Sequence, residues 1–280
     1  MLKAGYTVKD ACGALDISRS RFYCKDGHGQ SHQKRPRKED EQEILQLVFD
    51  IKAAHPFWGY RRVWAWLRFR EKRAINHKRV YRIMKENKLL VNIKQYKAKR
   101  KPSRSKPKAT NLNQFWGTDM TKFFIQGLGW AYLVVVLDWY SKKVVGHKLD
   151  LRSRSQEWAQ ALEMAVSNQC PNGSRGLDIK LISDNGSQPT SISYMKTCAT
   201  LDIKQIMTSY SNPKGNAETE RFMRTFKEEA VWPYEFESFG QAQSKVEKFI
   251  RFYNEEYPCS AIGYLSPCEF EKTMKRKAAA

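Results

Sequence analysis

The chain has 280 residues, is 41% hydrophobic and carries a formal net charge of +21. That is enough apolar material for a real core and room for one to three domains, with a charge that points to a polyanionic partner. No apolar run reaches the roughly 18 residues that span a bilayer and the N-terminus has no secretory pattern, so a cytoplasmic, nucleoid-associated location is expected.

The charge is segregated. Residues 1–110 carry 29 Lys and Arg against 10 Asp and Glu, whereas residues 111–280 carry 21 against 19. A basic front on a near-neutral body is the pattern of a nucleic-acid-binding region joined to a separate functional domain. The six cysteines form no CxxC pair. Cys12, Cys24, His28 and His32 could be read as a zinc site, but their spacing is not that of paired metal ligands, and reduced thiols are the plainer reading.

In chain order, residues 6–24 read as two short helices around a turn at Leu15–Ser18, with Ser18 placed to cap the second. This is either a small helix-turn-helix or a packing hairpin, within a first segment 1–32. Residues 39–91 read as three helices forming a DNA-binding domain. Ile44, Leu47, Val48 and Ile51 give the first a helical stripe. HPFWGYRRVWAWLRFR gives the second, with Tyr60, Val63, Trp64 and Leu67 inward and Arg61 and Arg62 among the bases around them. INHKRVYRIMKENKLL gives the third, with Val80, Ile83 and Met84 inward and Lys78, Arg79, Arg82 and Lys85 on an outward ridge suited to DNA phosphates or the major groove. Residues 92–110 form a basic linker. Lys97, Lys99, Arg100 and Lys101 are its densest cluster, and Pro102 and Pro107 oppose regular structure. Such a segment would follow a phosphate backbone.

Residues 111–257 read as an α/β domain. Strands are expected at Trp116–Phe124, Trp130–Trp139 and Lys143–Leu149, antiparallel because the connections are short. A helix at Ser153–Asn168, a strand at Ile179–Ser183, a helix at Ser191–Leu201 and a strand at Ile203–Met207 follow. Then come a helix at Asn216–Ala230 and a last one at Phe239–Tyr253, with a tail over 258–280. Three antiparallel strands followed by alternating helix and strand resemble the ribonuclease-H-like fold.

Three acids stand out in this domain. Asp119 lies inside the first strand, in QFWGTDMTKF. Asp184 lies just past a strand end, in KLISDNGSQ, where ligand sites in α/β sheets form. Glu220 lies on a helix, in NPKGNAETERF. Carboxylates from three different elements can share hard divalent cations, and a pair of such ions stabilises both the attacking and the leaving oxygen of a phosphoryl displacement. Arg224 and Lys227 lie four and seven residues beyond Glu220, on about the same helix face. Glu218 points elsewhere and is the weaker candidate.

WGTDMT, LISDNGS and NPKGNAETERF…K together resemble the DDE transposases that share a core with retroviral integrases. HPFWGYRRVWAWL, INHKRVYRIMKENKLL and YNEEYPCSAIGYLSPCEF are similar to segments of OrfB-type proteins of the third insertion-sequence family. The resemblance spans roughly residues 1–271. It implies that Asp119, Asp184 and Glu220 are both the catalytic and the metal-holding residues, with two Mg²⁺ or Mn²⁺ ions per site. It implies that Lys227 contacts the element's end, that double-stranded DNA (terminal inverted repeats and target) is the substrate, and that a dimer or higher oligomer forms on DNA. It implies cleavage at the element's ends followed by strand transfer. An upstream OrfA product is the partner or fusion expected in that family, although no heptad repeat is visible here. The alternatives are a non-catalytic DNA-binding regulator and a nuclease acting on RNA–DNA hybrids.

Overall fold

The computed structural model describes residues 7–16, 38–91, 108–208 and 215–279. The chain divides into two compact units at Phe49/Asp50. The first contains α1 (Val8–Ala14) and most of α2 (Lys38–Ala54). On α2, Ile44, Val48 and Ile51 are buried, the helical spacing expected from the sequence. The second short helix expected near residues 18–24 lies outside the described residues, as do Cys24, His28 and His32; Cys12 is buried.

In the second unit, α3 (Tyr60–Phe69) and α4 (His77–Glu86) pack against each other. α4 buries Val80, Ile83 and Met84, and Asn76 caps its start by accepting from the Lys78 N–H at 2.8 Å. α3 buries Val63, Ala65 and Leu67. Tyr60 and Trp64, expected in that stripe, are only half-buried. Their rings instead edge against Tyr81 (5.0 Å) and Tyr264 (5.9 Å).

The sheet has five strands in the order β3-β2-β1-β4-β5: β1 (Phe115–Ile125), β2 (Gly129–Asp138), β3 (Val144–Asp150), β4 (Lys180–Ser183) and β5 (Lys204–Met207). β1, β2 and β3 are antiparallel neighbours, while β4 and β5 run parallel to β1. This mixed sheet with flanking helices is the ribonuclease-H-like arrangement. The β2–β3 turn closes on Asp138, whose buried carboxylate accepts from the Ser141 N–H (2.8 Å), the Ser141 hydroxyl (2.6 Å) and the Asn113 N–H (3.1 Å). Burial raises its pKa, but every neighbour is spent on holding the turn, so this acid is structural.

Period-two alternation decides what each face of β1 meets. Trp116 joins the core formed with α5 (Ser155–Gln169) and α6 (Ile192–Thr200), where Trp158, Leu162, Ala165 and Tyr194 are buried, and Met120 packs on it. The odd residues face the opposite layer. There Phe123 meets Phe226 of α7 (Ala217–Phe226) at 6.1 Å between ring centroids, and Phe222 and Phe226 pack on Phe249 of α8 (Phe239–Glu255). Asn254 of α8 brackets the edge strand, accepting from the Val144 N–H and donating to the Val144 carbonyl, both at 2.9 Å. An edge that would otherwise offer free ladder groups is closed there.

Two features differ from the sequence reading. The helix expected over Asn216–Ala230 is α7 followed by one π-turn, Lys227–Val231. The expected tail carries a 3₁₀ turn (Ser260–Ile262) and a further helix, α9 (Pro267–Ala279). Buried Glu271 of α9 ties it to the β2–β3 turn through Lys143 at 2.6 Å.

α3 and the segment before it are joined to the α/β part. His55 stacks on Trp58 (4.0 Å) and Phe252 (5.2 Å), and its Nδ1 lies 2.7 Å from the buried Glu229 carboxylate of the π-turn. Arg70 reaches Glu269 of α9 at 2.6 Å.

Candidate active site

Asp119 sits between Gly117 and Thr121 on the α7 face of β1. Parallel pairing aligns Gly117 with Ile182 of β4. Two further steps of that register bring Asp184 level with Asp119 on the neighbouring chain segment. There the Asp184 carboxylate accepts from the Gly186 N–H at 3.1 Å, a short turn that ends the strand. Asn185 reinforces it by donating to the Thr208 carbonyl at 2.5 Å.

Glu220 arrives from the other side because α7 is pinned to β1. The N-cap residue, buried Asn216, donates to the Thr118 carbonyl at 3.0 Å, next to Asp119 in the chain. Thr219, also fully buried, accepts from the Trp139 indole at 3.4 Å. So close an approach requires Gly117. A Cβ there would lie 2.2 Å from the Thr219 hydroxyl and 2.3 Å from the Trp139 Nε1. Gly117, Trp139, Asn216 and Thr219 thus place the helix that carries Glu220. Gly117, Trp139 and Thr219 were given no such role from the sequence, where the WGTD string is the one local sign of a tight fit.

The electrostatics join the three acids. Asp119 is half-buried, and its carboxyl is raised to about 6, first by burial. The Met120 N–H, at 2.8 Å, opposes that rise. The charges of Asp184 and Glu220 raise it further, and Lys227 pulls it down. Asp184 and Glu220 are solvent-exposed. Among the described residues, no three His, Cys, Asp or Glu side chains are grouped tightly enough to enclose an ion. The arrangement is therefore an open acidic mouth with one half-buried member, all of whose donors are carboxylate oxygens, the kind hard divalent cations take.

The basic candidates divide. Lys227 lies close enough to Asp119 to lower the pKa of its carboxyl. Arg224 pairs with Glu228 at 2.8 Å and so offers less free charge than its position implied. Glu218 pairs with Lys142 at 2.8 Å, away from the triad. Arg61 and Lys78 are exposed; Arg82 is exposed and 3.8 Å from Glu86. Two bases expected to point outward do not. Arg62 lies over the Tyr257 ring at 4.8 Å, because an aromatic wall is available to a planar cation there. Arg79 is half-buried. Lys97, Lys99, Arg100 and Lys101 lie outside the described residues.

Two family models described as integrase core domain match residues 109–213 and 201–267, and an HTH-like domain model matches residues 39–97. The putative transposase InsK for insertion sequence element IS150 of Escherichia coli (strain K12) is 28% identical over 279 residues, covering 96% of this chain and 95% of that protein. The chain is an integrase-core transposase of the third insertion-sequence family. The transposase InsD for insertion element IS2D of the same strain is 28% identical over 243 residues, covering 85% of the present transposase and 81% of InsD. Among solved structures, the catalytic core domain of BIV integrase covers 60% of the transposase and 99% of its own chain at 17% identity and a TM-score of 0.45. The catalytic domain of Mos1 mariner transposase covers 59% and 82% at 16% identity and a TM-score of 0.44. Membership of this family makes the protein a DDE-type enzyme. Among its described residues no helix is long and apolar enough to cross a membrane.

Proposed function

We propose that Asp119, Asp184 and Glu220 hold two divalent cations, Mg²⁺ or Mn²⁺, and that the transposase uses them to cut and join DNA at the ends of its insertion sequence. The observation that carries this reading is the pinning of α7 on β1 through Asn216 and Thr118, which turns a helix acid toward a strand acid. The donor set fits. A carboxyl raised first by burial and further by two neighbouring carboxylates marks a site short of positive charge.

When bound, the cations would neutralise charge on the scissile phosphate and sharpen the attacking oxygen. The chain's own groups do the rest. Asp119 on β1 and Asp184 just past the end of β4 offer two ligands at the sheet, while exposed Glu220 is able to close on them. Lys227 adds positive charge beside the phosphate under attack. The terminal repeats and the target are the double-stranded substrates, and a dimer or larger assembly brings two ends together. The division of labour is 1–32 and 39–91 for DNA binding, 92–110 as a basic tether, and 111–257 for chemistry. An OrfA product is the expected partner and the nucleoid the place of action. Nothing favours a non-catalytic regulator.

The test is Mg²⁺-dependent cleavage of duplexes bearing the element's end. Asp119→Asn, Asp184→Asn and Glu220→Gln should each fall to the assay floor while still binding the duplex. Cleavage of an RNA–DNA hybrid in preference to the end duplex would overturn the substrate assignment.

A further inference from the structure

A cavity of about 70 Å³ that the chemistry above does not use lies along the α7 face that carries Glu218 and Arg221. Its walls bring together three parts of the chain: Arg62 of α3, Lys142 of the β2–β3 turn and Arg221 of α7, closed by Tyr257 and Ser260. We propose that this cavity is a phosphate site that takes one backbone phosphodiester of the bound DNA. In doing so it ties the helices before the sheet to the helix that carries Glu220. The proposal rests on the DNA-processing reading and extends it to a second point of contact.

The charge balance comes first. Glu218 is the one acid in the lining, and Lys142 takes it at 2.8 Å. Among the described residues, neither Arg62 nor Arg221 has a carboxylate within ion-pairing distance. Arg62 is held in place over the faces of Tyr257 (4.8 Å) and Trp58 (5.8 Å). A guanidinium stacked in this way keeps its N–H fork free for a planar or tetrahedral oxyanion.

A second observation is independent of charge. Tyr257 is 3% exposed, and its hydroxyl completes no hydrogen bond among the described residues, although the Thr225 hydroxyl lies near it. The neighbouring hydroxyl of Thr225 spends its proton on the Arg221 carbonyl at 3.1 Å. Leaving a buried hydroxyl without a partner is costly, and a phosphate oxygen in the cavity would relieve it. The three bases also converge. Cys259 of the lining feels Lys142, Arg62 and Arg221 together, each opposing the upward push of burial on its thiol.

The cavity is far smaller than the roughly 300–1,000 Å³ of sites for organic ligands. A single tetrahedral oxyanion is the ligand class that suits it. Free phosphate has the same chemistry, but exposed Arg221 adjoins Glu220 in the chain and opens the site toward the DNA-processing helix.

The experiment uses the full chain and end duplexes carrying one neutral methylphosphonate at each position in turn. At one position the substitution should weaken binding by the wild type about tenfold, the worth of a charge-assisted hydrogen bond, and leave the affinity of Arg221→Gln almost unchanged. Arg62→Gln should be silent at the same position; should it fail to fold, Arg221→Gln carries the test alone. Equal losses in wild type and Arg221→Gln at every position would overturn the proposal. So would inorganic phosphate raising the Tm of the wild type but not of Arg221→Gln with no such silent position, because the cavity would then serve free phosphate. Failure of the wild type to bind any end duplex would instead strike at the functional reading itself.

Discussion

At the scale of residues, Asp119 is the most informative side chain. Its raised carboxyl gives a stability prediction whose sign is fixed. A folded-state pKa of about 6, above the ordinary 3.8, means that the folded metal-free protein holds this proton more tightly than the unfolded chain. The stability so gained is complete below pH about 4 and is lost as the pH climbs through about 6. Asp119→Asn should therefore raise the Tm of the metal-free protein at pH 8, with the gain vanishing near pH 4, in a thermal scan across that range. An equal Tm difference at both ends would show that the carboxyl is not perturbed. The same proton competes with cations, so metal-dependent cleavage should fall as the pH drops below about 6. The three acids were legible from the sequence because each sits in a distinct local string. The orientation of Arg62 was not, because it is decided by an aromatic partner far away in the chain, Tyr257.

At the scale of elements, the strands and helices of the α/β part follow the sequence periodicity to within a few residues. The β-branched run of β2 and the short turn at Ser141 leave little else possible. What the periodicity could not show is how closely α7 approaches β1. That depends on the missing Cβ of Gly117 facing Thr219 and Trp139. Gly117→Ala should cost about 1–3 kcal/mol of stability, the usual penalty of overpacking, and should cut cleavage more than duplex binding. Urea unfolding alongside a cleavage assay reads both, and a variant with wild-type stability would mean that the helix has room to spare. The π-turn after α7 was likewise hidden. A helix pattern through Ala230 is the same whether its last turn is α or π, and the pairing of Glu229 with His55 involves a residue 174 positions away. α9 was read as tail because its start, Pro267, follows a run rich in turn residues. Its hold on the body comes from Glu271 and Lys143, a long-range pair with no local signature.

At the scale of the whole molecule, the charge asymmetry of the sequence is the main guide. A basic front and a near-neutral body are a design for holding DNA and then processing it. Binding to end duplex should weaken steeply with salt. Neutralising Lys97, Lys99, Arg100 and Lys101 together should flatten the log–log slope by about one unit for each DNA phosphate that the linker no longer neutralises. A fluorescence titration from low to moderate salt measures it, and an unchanged slope would remove the linker from the DNA path. The links made by His55–Glu229 and Arg70–Glu269 give the helices after residue 50 a fixed relation to the π-turn and α9. This suits a protein in which end recognition and chemistry act on one duplex.

Asp119, Asp184 and Glu220 are proposed to work as one cation-holding unit. Cleavage of a labelled end duplex in Mg²⁺ by the wild type and the three single variants tests it most directly. A product is expected from the wild type alone, with all four proteins binding the duplex equally. A variant of any of the three acids that cuts at the wild-type rate would contradict it.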